Sequence, residues 1–198
     1  MKRLTLLLLI LFVSIFTTHN VYAKAPEWQL DKGHSAIYFT VDHVFSKVLG
    51  HFNEFDVQAN FSPNDLKQSS FAFTIKVDSI DTNIGKRDKH LLSGDFFDAS
   101  SFPTITFESN DIMENGKGQY SVNGTLTIKG KKHPFTLPLT LAGIGDHPAK
   151  KGSVVAGLIG TKTVNRLNLG VGNGKFLKMG VVGKDVDINV SIEITKDK

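Results

Sequence analysis

The sequence predicts an all-β fold of about eight antiparallel strands, and three observations predict it. Apolar and polar residues alternate with a period of two in segment after segment. Turn dipeptides such as Asn115-Gly116, Lys129-Gly130 and Gly145-Asp146 separate these segments by links short enough to make neighbours antiparallel. One stretch, Ser79 to Ser109, breaks the alternation and gathers charge, so the remaining chain is arranged around it.

The chain begins with Met1, Lys2 and Arg3, continues through an apolar run from Leu4 to Phe16, and reaches Val21-Tyr22-Ala23. A positive start, an apolar run of about 13 residues and a small-residue ending form the pattern of a secretory signal peptide cut after Ala23. Residues 1–23 are therefore expected to be removed, and 24–198 to form one domain. The run is short for a membrane span, which needs about 18 apolar residues. Cysteine is absent, which excludes disulfides, thiol nucleophiles and a lipid-bearing cysteine. An exported, cysteine-free domain of this size fits a periplasm. The formal charge of +4 falls to +2 without Lys2 and Arg3, and the other lysines are spread along the chain. No nucleic-acid partner is expected from that distribution.

Each strand expectation rests on its own alternation. Ile37, Phe39 and Val41 share one face; so do Phe55, Val57, Ala59 and Phe61; then Phe71, Phe73, Ile75 and Val77; then Ile105 and Phe107. Tyr120, Val122, Leu126 and Ile128 follow, then Phe135, Leu137, Leu139 and Leu141, with Pro138 marking an edge or bulge. Val154 to Thr163 and Val186 to Ile194 complete the set. Such strands close into either a sandwich or a barrel, and periodicity leaves both open. Within the irregular stretch, Lys86 to Leu92 reads as a short amphipathic helix ended by Gly94 in the left-handed conformation, a lid between two strands.

The order SIDTN, RDKHL and DFFDASSFPTITFES within that stretch resembles the YceI family of periplasmic, lipocalin-like, polyisoprenoid-binding proteins. WQLDKGHSAIYFTVDHVFSKVLGHF upstream is similar to that family's first strand pair. Downstream, VNGTLTIKGKKHPFTLPL and TVNRLNLGVG are similar to its later strands and its arginine-containing turn. The resemblance runs from Trp28 to Ile194 and departs at Asn168, where the family often carries aspartate after the arginine. It implies an antiparallel lipocalin-like barrel with a short helical lid, located in the periplasm. It further implies a long-chain amphiphilic lipid as ligand, such as a polyprenyl quinone or polyprenyl phosphate, with no other cofactor.

On that basis Phe39, Phe55, Phe73, Ile75, Ile105, Phe107, Leu126 and Leu137 are the expected tail-binding residues. Packed core is the competing role for each of them. Arg87, His90 and Arg166 are the expected head-group residues, since they lie in the two irregular stretches that set charge beside apolar residues. The competing role of Arg87 or Arg166 is pairing with Asp88 or Asp95 to hold the lid. The expected partners are the lipid, a transient contact with a membrane surface or membrane protein, and a second copy as a homodimer. Seven histidines raise the question of a metal, with His34, His43, His51 and His90 to weigh. No HxH or HExxH spacing occurs, so no metal is expected, and His34 reads as bonded to the Asp31 turn. No GxSxG, phosphate loop or dinucleotide fingerprint is present, so a carrier is expected before an enzyme acting on the head group or a module with a filled core.

Overall fold

A computed structural model describes residues 24–198, so the expected signal peptide lies outside the described residues. The alternating segments form strands β1 (Glu27–His43), β2 (Ser46–Phe52), β3 (Phe55–Asn60), β4 (Ser70–Lys76) and β5 (Ile80–Asp81). Helix α1 (Gly85–Leu92) follows, then β6 (Thr104–Gly116), β7 (Gln119–Ile128), β8 (Lys131–Asp146), β9 (Ser153–Asn165), α2 (Lys175–Lys178) and β10 (Val182–Asp197). The sheet has 10 strands, of which β1, β10, β9, β8, β7, β6, β4 and β3 close into an antiparallel ring of 8. These are the strands that the alternation marks. β2 and the two-residue β5 are additions outside the ring.

The two halves of the barrel are built differently. β1 pairs with β3 only through Glu27 and Trp28, and from Ile37 to His43 it pairs with β2 instead. β8 pairs with β7 from Lys131 to Thr140 but with β9 only from Thr140 to Asp146. Pro134 and Pro138 lie in the part of β8 that β9 does not join, and proline brings no N–H to a ladder. The half around Trp28, Val122 and Leu158 is consequently laced all round, and the half around Val41, Phe135 and Val164 is not.

The laced half fills itself. Phe61, Val122, Leu158, Ile192 and Ile194 are fully buried there, and Trp28 Nε1 donates to the Phe61 carbonyl at 2.8 Å. Over the other half lie two covering segments, 82–103 with α1 and 166–181 with α2. α1 ends differently from the sequence expectation. Gly94 does not take a positive φ. The chain folds back so that the N–H groups of Phe97 and Ala99 satisfy the carbonyls of Leu91 and Leu92 at 3.0 and 2.9 Å, with Asp98 making the left-handed turn at φ 52. Gly50 in β2 is required by a close approach: a Cβ there would meet the Phe39 ring, with Cε1 at 2.8 Å.

Parity in β9 gives a direct check. Leu158 is 0 % exposed and Ile159 is 48 % exposed. Leu158→Ala is expected to cost about 2–5 kcal/mol in urea unfolding, and Ile159→Ala less than about 0.5 kcal/mol. Equal losses would place the barrel interior wrongly.

Candidate functional site: an apolar cavity under two covering segments

The incompletely laced half encloses a cavity of about 180 Å³. Phe39, Phe73, Ile75, Ile105, Phe107, Leu126 and Leu137 line it from the wall, with Leu91, Phe96, Phe97, Leu169 and Val171 from the covering segments. Phe55, predicted among the tail-binding residues, is not in the lining. It begins β3 opposite Ile75, which does line the cavity, at the strand edge that β1 has left for β2, and there it borders a second groove with Glu54, Asp56 and Lys76.

Arg166 is the one charged residue in the cavity lining. It follows β9 directly and is 6 % exposed. Its Nε donates to the Gly183 carbonyl at 2.8 Å, its Nη1 to Val171 at 2.9 Å and its Nη2 to Val182 at 3.4 Å. Among the described residues no carboxylate pairs with it. Burial pushes its pKa down from the ordinary arginine value, and at this basicity the guanidinium remains charged. The Phe96 ring lies 5.8 Å from its Cζ, and Phe96 stacks on Phe176 of α2 at 5.7 Å. Asn168, the departure from the family pattern, is exposed and leaves Arg166 without an acidic neighbour on that turn.

Arg87 and His90 sit elsewhere. Arg87 gives Nε to Thr82 Oγ1 at 2.7 Å and Nη2 to the Thr82 carbonyl at 2.5 Å. Asp88 receives the Thr82 N–H at 2.9 Å and its hydroxyl at 2.5 Å. Arg87 and Asp88 thus both tie α1 to the end of β5 through Thr82, which is 2 % exposed. His90 Nε2 meets Asp95 Oδ2 at 3.1 Å, and its ring stands edge-on to Phe96 at 5.2 Å and Phe176 at 5.5 Å. The lid is therefore held by a threonine-centred network, a His–Asp pair and a hydrogen bond from Lys129 Nζ to the Phe96 carbonyl, and neither arginine pairs with Asp88 or Asp95 among the described residues.

The sequence did not single out Phe96, Phe97, Leu169 and Val171, because loop residues carry no periodicity; the one signal was the placing of Phe96 and Phe97 between Asp95 and Asp98. His133 was also missed. It alternates inward with Phe135 on β8, and its Nε2 is buried without a hydrogen-bond partner among the described residues. Beside it Lys162 Nζ lies 5.3 Å over the Phe135 ring, where β8 and β9 are unpaired.

His34 bonds Asp31 through Nδ1 at 2.9 Å, as expected, which raises the histidine pKa and lowers that of the aspartate. With Glu193 these residues bring ligand atoms within 4.8 Å of one another on the outer wall, away from the cavity. His43 and His51 do not converge: His43 pairs with Ser46 at the hairpin end, and His51 bonds Asn53.

A family model described as a YceI-like domain matches residues 28–194. The chain belongs to the YceI-like family. A relative in Pseudomonas aeruginosa, called a UPF0312 protein, is 34 % identical over 98 % of both chains. One in Staphylococcus aureus is 39 % identical over 83 % of this chain and 95 % of its own. Among solved structures, Burkholderia cenocepacia BcnA superposes with a TM-score of 0.74 at 28 % identity, covering 83 % of this chain and 99 % of that one. A polyisoprenoid binding domain from Saccharophagus degradans shares the fold, with a TM-score of 0.59 at 13 % identity over 86 % of this chain and 98 % of that one. The YceI-like barrel thus holds an apolar cavity with a single buried cation at its covered end.

Gly172 makes room for that cation. It has φ 92, and a Cβ there would overlap Arg166 Nη1 and come within 3.5 Å of Phe96. Gly172→Ala is expected to lower stability by about 1–3 kcal/mol through left-handed strain and displacement of the guanidinium. A thermal melt checks it: about 2–4 °C is expected for each kcal/mol lost.

Proposed function

We propose that this protein is a periplasmic carrier of a long-chain amphiphilic lipid of polyisoprenoid type, with the tail in the cavity and the head beside Arg166. The observation that carries the reading is the pairing of an apolar lining with one buried, carboxylate-free guanidinium. Three of the five N–H donors of an arginine go to backbone carbonyls here, which leaves donors for a phosphate, carboxylate or quinone oxygen. A buried charge is costly unless paired, so a ligand acceptor at this position lowers the free energy of the loaded state. Membership of the YceI-like family supports the reading, as does the polyisoprenoid binding named for a protein of the same fold.

The tail contributes by burial, roughly 0.8 kcal/mol per methylene. Ten methylenes give about 8 kcal/mol, micromolar affinity before the costs of association. The cavity of about 180 Å³ is smaller than the 300–1,000 Å³ usual for a ligand site, so a long tail needs the lining to move apart. Phenylalanine rings that swing on their χ1 bonds, and covering segments held by few polar contacts, allow that movement. Arg166 cannot serve as a general base, because it does not give up its proton at physiological pH. The site is accordingly read as a binding site without catalysis, and its expected contents are the lipid and no further cofactor. On this reading residues 1–23 direct export and the carrier works between the two membranes, where a hydrocarbon tail needs shielding from water.

Native mass spectrometry of protein purified without detergent from its own cells tests this, followed by organic extraction of what is released. One long-chain amphiphile per chain is expected; a ligand-free mass in every preparation would contradict the reading. Arg166→Met is expected to retain the tail but weaken binding of an acidic head about tenfold, measured by competition between a prenyl phosphate and its alcohol.

A further inference from the structure

The rim beside the covered cavity carries exposed apolar side chains on two adjoining turns. Val44 and Phe45 form the tip between β1 and β2, 52 % and 101 % exposed, and Val44 holds a left-handed φ of 52 that suits a β-branched residue poorly. The Val44 N–H donates to the Val181 carbonyl at 3.1 Å, which fixes this tip against the end of the α2 segment. There Leu177 and Met179 are 36 % and 60 % exposed. Lys175 and Lys178 flank them and enter no ion pair among the described residues. The nearby acids are already engaged: Asp42 and Asp187 by Lys47 at 2.9 and 3.8 Å, and Asp185 by Lys184 at 2.6 Å.

We propose that this rim docks the protein on an anionic phospholipid bilayer, with Phe45 and Met179 inserted below the head groups and Lys175 and Lys178 at phosphate level. Apolar tips beside unpaired ammonium groups match the layering of a bilayer interface, where hydrocarbon lies beneath negative charge. The position supplies a second argument, because the same turns adjoin Val182 and Arg166 in the cavity lining. A two-fold homodimer through this face is disfavoured: an isologous contact would set the lysines of one copy against the same lysines of the other. The proposal deepens the carrier reading by naming the surface from which the lipid is taken or to which it is given.

Co-sedimentation with vesicles tests it, using wild-type protein from the soluble extract of cells and vesicles of phosphatidylcholine with or without phosphatidylglycerol. Binding is expected to phosphatidylglycerol vesicles, and to weaken as salt rises. Phe45→Ser is expected to reduce it about tenfold, and removal of Lys175 or Lys178 about fivefold each. The Phe45→Ser protein should carry the same extractable ligand as wild type, which separates docking from cargo binding and shows that the variant is folded. Equal binding to neutral and anionic vesicles, no loss in Phe45→Ser, or a wild-type dimer in analytical ultracentrifugation that Phe45→Ser abolishes would each overturn the proposal. Ligand-loaded wild type that ignores vesicles would sink docking and leave the carrier reading intact. Vesicle binding by a protein that never holds a ligand would do the reverse.

Discussion

The ladder between β8 and β9 starts at Thr140, and before that residue β8 carries Pro134 and Pro138. Most of what distinguishes the two halves of the barrel depends on where this pairing stops. A ring of 8 strands has an interior just wide enough for its own side chains when every pair is laced, and the half around Leu158 is of that kind. Once β9 is released from β8 and β1 exchanges β3 for β2, the wall spreads and its inward phenylalanines no longer fill the space. The cavity follows from the pairing, and so does the need for covering segments, since an apolar space open to water would be unfavourable.

What closes that space decides its chemistry. The segment 166–181 brings a guanidinium under Phe96 and gives it backbone carbonyls in place of a carboxylate. Carbonyl dipoles compensate a cation in part, and burial pushes the pKa of Arg166 down. The aromatic stack of Phe96, Phe176 and His90 then links the two covering segments to one another. The Arg166 guanidinium over Phe96 joins the segments as well, Lys129 Nζ donates to the Phe96 carbonyl, and Arg87 and Asp88 fasten α1 to β5 at its far end through Thr82.

The strands of the ring were legible because burial on one face imposes a period of two, from Ile37 and Val41 through Ile192 and Ile194. β5 was not, since two residues cannot show a period. The lid helix was readable from Lys86 to Leu92, but its ending was not: the fold-back at Asp98 depends on contacts that Gly94 does not reveal. Most of the predicted tail residues face the cavity because alternation fixes the side of the sheet; Phe55, level with Ile75, lies outside the lining, and alternation does not show that β1 leaves the edge of β3 beside it. Arg166 was separable from Arg87 only in three dimensions. Each lies among charged and apolar neighbours in sequence, and one is used by Thr82 while the other lines the cavity.

Amide hydrogen exchange on ligand-stripped protein, repeated after addition of a long-chain prenyl phosphate, tests the division of the barrel most directly. Exchange is expected to be slowest in the laced half, at Val122, Leu158 and Ile192, and orders of magnitude faster in segments 85–99 and 166–181. The added lipid is expected to protect those two segments and leave the laced half unchanged. Uniform protection before addition, or no change in the covering segments after it, would contradict a self-filled half joined to a ligand-filled one.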